Sequence, residues 1–127
     1  MAVSTKTNDQ TTSFPSYITM SDLENEPQND ILTGTTGSVL NVIIENEHAV
    51  AGTEAYVQFY DNNDPTVGTT AQEMKFRNRN SASVARVMHV SIRFGHAFSN
   101  ACSVAATSAA DNNTAPSQTT NVIIFGD

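Results

Sequence analysis

The sequence predicts an all-β chain: an antiparallel β-sandwich, of jelly-roll or immunoglobulin-like type, behind an extended N-terminal arm. Three observations predict it. Apolar residues recur at period two in short runs, as half-buried strands require. Turn-forming Asp, Asn, Gly and Pro separate those runs at fairly even spacing. No stretch shows a convincing 3.6-residue apolar periodicity, so helix should stay under about a tenth of the chain. With 127 residues the chain suits one domain, and at 39% apolar residues its core must draw on only part of it.

Residues 1–35 read as the arm and residues 36–127 as the sandwich domain. The arm holds Thr and Ser runs, Pro15, Pro27 and the acidic stretch Ser21-Asp22-Leu23-Glu24-Asn25-Glu26. Such composition does not build a core of its own. Its apolar residues Phe14, Tyr17, Ile18 and Met20 are more than a linker needs, so they are expected to become ordered on a neighbouring subunit. Deleting the arm should then leave a folded domain with weaker binding.

The β-branched run Val39-Leu40-Asn41-Val42-Ile43-Ile44 predicts a buried strand. Ala49–Gly52 reads as a loop. Thr53 to Tyr60 alternates, with Ala55, Val57 and Phe59 on one face and Tyr56, Gln58 and Tyr60 on the other. Asp61–Gly68 is a turn. Glu73–Arg77 alternates again, Met74 and Phe76 inward, and Asn78-Arg79-Asn80 reads as a turn. Ser81–Phe94 is long for one strand. Val84, Met88, Val90, Ile92 and Phe94 share a face on which Arg86 would also fall, so a bulge is expected near Arg86. Cys102, Val104 and Ala106 point inward from the next strand, and Asn121–Phe125 closes the chain. The expected core is Val42, Ile44, Val57, Phe59, Met74, Phe76, Val90, Ile92, Val104, Val122 and Ile124.

Charge bears on function. The net charge is −7, which leaves no chain-wide basic field for nucleic acid. No run approaches the length of a membrane span, and Met1–Lys6 lacks the apolar centre of a signal peptide, so synthesis in a cytoplasm is expected. The charges are segregated, however. Residues 1–73 carry 11 of the 13 acids, while Lys75, Arg77, Arg79, Arg86 and Arg93 fall within 19 positions. That segment reads either as a solvated strand face balanced by acidic neighbours or as a basic edge that docks on another subunit's acidic surface.

Candidate chemistry is sparse. Asp61-Asn62-Asn63-Asp64 resembles an oxygen-rich cation loop, yet Thr66 and Gln72 stand where the helical calcium loop needs Gly and a bidentate carboxylate. A turn whose Asn and Asp side chains accept local backbone bonds explains it better. His48, His89 and His96 lack a metal-binding spacing. Cys102 is the single cysteine and sits in an alternating strand, where a small buried hydrophobe is expected rather than a nucleophile. There is no nucleophile elbow or phosphate loop. Neither enzymatic activity nor a metal or cofactor is expected.

From Val39 to Phe125 the chain resembles a group of small phage structural proteins. The segment Ala55-Tyr56-Val57-Gln58-Phe59-Tyr60-Asp61, the loop Asp64-Pro65-Thr66-Val67-Gly68-Thr69, the stretch Phe94-Gly95-His96-Ala97-Phe98-Ser99-Asn100 and the strand Ser103-Val104-Ala105-Ala106-Thr107 carry the likeness. The chain departs from the pattern at Lys75 to Arg79, where charges replace apolar residues and prolines. The resemblance implies a virion protein, a decoration or cement protein on the capsid exterior with the major capsid protein as partner. A homo-oligomer, in particular a trimer, is expected, because a small domain buries more of its surface in a closed ring. The alternative is a tail, fibre or spike module that binds a host surface or glycan through Tyr56 and Tyr60.

Overall fold

A computed structural model describes residues 2–6, 16–32, 37–47, 53–79 and 86–126, with backbone alone at 2–6 and 16. The described residues form β1 (Ala2–Lys6), β2 (Ser16–Ser21), β3 (Gly37–Glu47), β4 (Glu54–Asp61), β5 (Met74–Arg79), β6 (Arg86–Phe98), β7 (Cys102–Thr107) and β8 (Thr119–Gly126), and no helix. All pairings are antiparallel, in one sheet ordered β1-β2-β8-β3-β6 and another ordered β5-β4-β7. The protein is an all-β sandwich, as its alternation requires.

The core lies between the sheets. Val42 and Ile44 from β3, Val57 and Phe59 from β4, Val104 from β7, and Val122 and Ile124 from β8 are fully buried in it. Met74, Phe76, Val90 and Ile92 pack against it half-buried, because β5 and β6 are the outer strands of their sheets. Phe59 meets Phe76 edge-on, with ring centroids 5.9 Å apart, the geometry that aromatic quadrupoles favour.

The division at residue 35 does not follow the packing. Ile18, Met20, Leu23 and Leu32 are buried in the same core as the later strands. β2 pairs with β8 from Ser16↔Gly126 to Met20↔Val122. The chain then crosses to the other sheet and runs along the free edge of β7. Gln28 and Val104 exchange backbone hydrogen bonds of 2.8 and 3.0 Å, Ile31 N donates to Cys102 O at 2.8 Å, and Ala106 N donates to Glu24 O at 2.9 Å. The segment 22–32 thus closes one side of the sandwich and caps an edge that would otherwise be open to association. Asp22 (φ 55°) and Asp30 (φ 50°) make its corners, a conformation that Asp tolerates better than most residues.

The opposite side, where β5 faces β6, is joined by side chains. The Asn78 amide donates to Ile44 O and Arg86 O, both at 2.9 Å, and the Asn46 amide donates to Asn78 O at 3.2 Å. Asn78 belongs to β5, not to the expected turn, because this bridging keeps it buried in the strand.

The bulge expected near Arg86 is elsewhere. Val39 pairs with His96 and Asn41 with Ser91, so Leu40 alone stands opposite the four residues Ile92–Gly95. The extra length turns Phe94, expected inward, out to 90% exposure at φ 66°. A bulky residue there carries strain of about 1–3 kcal/mol. Gly95 follows at φ 74°, and a Cβ on it would come within 2.8 Å of Leu40 Cδ2. Val84 and the loop Ala49–Gly52 lie outside the described residues.

Candidate functional site

The pairing register builds the outer face of the five-stranded sheet. Tyr17, Phe125, Asn41 and Ser91 form one cross-strand row, and Thr19, Ile123, Ile43 and His89 the next. Asn121, Glu45 and Val87 continue it. Each alternates with a core residue, so its side chain faces away from the other sheet. The Tyr17 and Phe125 rings lie 5.9 Å apart, and Val87 is 59% exposed. An open hollow of about 220 Å³ is lined by Asn41, Ile43, His89 and Phe125. At the acidic end of the face, hydrogen bonding to Glu45 raises the Glu47 carboxyl above its usual range.

The four arm residues separate in this fold. Tyr17 is exposed on the outer face, whereas Ile18 and Met20 are buried in the chain's own core, and Phe14 lies outside the described residues. Strand alternation explains the split, since β2 has one face on the core. Ile18 and Met20 therefore cannot contact a capsid or subunit while β2 is in place.

The basic segment is largely neutralised within the chain. Arg77 pairs with Glu54, Arg79 reaches the same carboxylate at 3.6 Å, and Lys75 lies 3.6 Å from Asp111. Glu54 also accepts the Tyr56 hydroxyl at 2.9 Å; that bond, then Arg77, holds its carboxyl below the usual range. Arg86 donates to Arg79 O at 2.9 Å. Arg93 lies over the Phe94 ring at 4.9 Å from the centroid. These contacts match a balanced, solvated strand face at Lys75, Arg77 and Arg79.

The groups singled out for chemistry are engaged in holding loops. Asp61 ends β4 and accepts from Ser99 N (3.1 Å), Ser99 Oγ (2.7 Å), Asn100 N (2.7 Å) and Ala101 N (3.2 Å). These donors, the Ser99 hydroxyl first, lower its pKa to about 2. Asn62 Oδ1 accepts Asp64 N at 2.7 Å, the local turn bond expected of this loop. The Cys102 thiol is buried, and burial followed by the negative charges of Asp61 and Asp30 pushes its pKa well up. It stays protonated, which removes the thiolate that nucleophilic attack needs. His96 Nε2 is 3.0 Å from Glu73 Oε1, His89 lies on the outer face, and His48 is outside the described residues.

Tyr60 is fully buried, so it cannot form an exposed pair with Tyr56. Its hydroxyl donates to Gln58 Oε1, while Gln58 Nε2 donates to Thr107 Oγ1 at 2.7 Å. The loop after β4 covers this second face of the small sheet with Val67. Strand alternation cannot reveal such a cover, because it depends on how the following loop folds back over the strand.

No family model matches the chain, and no curated protein matches it. Among solved structures it is similar to the Tobacco streak virus coat protein, at a TM-score of 0.35 and 8% identity, over 93% of this chain and 89% of that one. It is also similar to a structure of infectious bursal disease virus, Gx strain, at a TM-score of 0.30 and 13% identity, over 97% of this chain but 32% of that one. Both TM-scores lie below 0.5, so neither likeness carries a functional argument.

Proposed function

We propose that the chain is a structural protein of a virus particle, a decoration or cement protein bound to the outside of a phage capsid. The observation that carries this reading is the outer face of the five-stranded sheet. There Tyr17, Ile43, Ile123 and Phe125 form a shallow apolar stripe, with Val87 and Phe94 exposed on the outermost strand. A contiguous apolar face marks a surface for macromolecules rather than a small-molecule cleft. The groups best suited to chemistry, Asp61 and Cys102, are committed to the fold. The likeness of Val39–Phe125 to small phage structural proteins supports the major capsid protein as the partner. Tyr17 from the arm segment and Arg93 from the basic segment flank the face and set register on the shell, while Arg86 is turned toward β5. A trimer at threefold positions is part of the same reading. Many weak copies that bind only the assembled shell stabilise it by mass action. A glycan-binding tail module built on Tyr56 and Tyr60 is disfavoured by the burial of Tyr60.

The test compares particles assembled with and without the chain by image reconstruction and thermal opening of the shell. Density repeated over the outer surface, with a higher opening temperature, is the expected result. A few copies confined to the tail, or an opening temperature that does not move, overturns the proposal.

A further inference from the structure

Phe94 is an aromatic side chain that the fold itself does not use. It is 90% exposed, sits at φ 66°, and is held out by four residues of β6 standing against one of β3. Inserted residues of this kind re-aim side chains at edges. A strained, exposed aromatic points to a contact made outside the isolated chain.

The same chain carries a hollow on that sheet. Lined by Asn41, Ile43, His89 and Phe125, it is open to solvent and measures about 220 Å³, and its Ile43 and Phe125 side chains offer a surface on which an aromatic ring can pack. Ser91, opposite Asn41 at the rim, is the last paired residue of β6 before the bulge. Knob and hollow therefore lie at neighbouring positions of one sheet. Charge agrees with shape. Among the described residues Arg93, beside Phe94, has no ion pair. Glu45 and Glu47, on the strand that carries Ile43, face each other without a cation.

We propose that Phe94 of one copy seats in the Asn41, Ile43, His89 and Phe125 hollow of a second copy, with Arg93 turned toward that copy's Glu45 and Glu47. Knob, hollow, cation and acids all belong to one sequence, which favours a second copy over an unrelated partner. The contact closes as a ring in which each copy gives one knob and receives one, the closure that a trimer needs. It rests on the oligomer of the capsid reading and names its contact, and it does not depend on what the assembled chain binds.

Sedimentation equilibrium of the full chain tests it with three proteins. Wild type is expected to self-associate. Phe94→Asn keeps a residue that tolerates positive φ, so its fold should hold while its dissociation constant rises about 30-fold, the usual loss at a central aromatic contact. Ile43→Lys destroys the hollow but keeps the knob, and is expected to weaken association similarly. Mixing the two variants pairs an intact knob with an intact hollow, and association should return in part. Far-ultraviolet spectra check that both variants fold. A wild type that stays monomeric at the highest concentration reached overturns the proposal, even if Phe94→Asn then fails to bind particles, since that result assigns Phe94 to the shell. A folded Phe94→Asn that associates as tightly as wild type also overturns it, as does a mixture no better than its components.

Discussion

At the scale of single residues, Asp61 is the side chain whose charge the fold depends on most visibly. Its oxygens accept four hydrogen bonds from Ser99, Asn100 and Ala101, joining the end of β4 to the turn between β6 and β7. Folding lowers its pKa from 3.8 to about 2. Between those values the unfolded chain binds more protons than the folded one. The stabilisation is therefore complete above about pH 5 and is lost as the pH falls toward 2. Asp61→Asn places an amide donor among donors and removes charge-assisted bonds worth about 1.5–3 kcal/mol each. Urea unfolding should show the variant less stable by about 2 kcal/mol or more at neutral pH, with the difference shrinking toward about pH 3. An equal deficit at both pH values would mean that the carboxylate's charge does not hold this turn. Cys102, read from alternation as a buried hydrophobe, is buried as expected.

At the scale of elements, the segment from β2 to Leu32 separates an arm from a structural part of the sandwich. It supplies four buried apolar side chains, Ile18, Met20, Leu23 and Leu32. It also pairs with both β8 and β7. Burial of each such side chain contributes about 1.5–3 kcal/mol, so four together reach the whole stability of a small domain. Deleting residues 1–32 is therefore expected to abolish the cooperative thermal transition. Deleting residues 1–15 takes away β1, at the sheet's outer edge, and should leave the transition in place. A cooperative melt in the longer deletion would return the segment to the status of a detachable arm.

At the scale of the molecule, the strand order governs how the chain reaches its fold. β8, the last strand, lies between β2 and β3 near the middle of its sheet. The larger sheet cannot close until both ends of the sequence meet. Such non-local pairing puts refolding in the range of about milliseconds to seconds, not microseconds. Stopped-flow tyrosine fluorescence can follow it, since Tyr60 passes from solvent to full burial. Removing residues 119–126 should prevent folding, because β2 and β3 then face each other across a missing strand. Microsecond refolding, or a folded chain without β8, would show that the small sheet and the remaining strands form a sufficient core.

The sequence by itself determined the all-β class, the inward faces of β3, β4, β5, β7 and β8, and the fates of Cys102 and of the Asn62 turn. Each of these follows from contacts within one strand or one turn, where a period of two or a side chain bonding its own backbone decides the outcome. Tertiary structure alone decided the rest. Ile18 and Met20 read as arm anchors because their strand is short and set among polar residues, and only the edge of β8 shows where they go. Tyr60 read as exposed because nothing in its strand announces the loop that covers it. Phe94 read as core because alternation was carried through Ser81–Phe94, whereas mispairing with Leu40 lets four residues loop out and reverses its direction. Lys75, Arg77 and Arg79 read equally as a docking edge or a balanced face, and only the fold brings Glu54 and Asp111 beside them. For Ile18, Met20 and Phe94 the deciding contact comes from a strand distant in sequence, and for Tyr60 from the loop that follows its own strand; alternation within one strand holds no information about either neighbour.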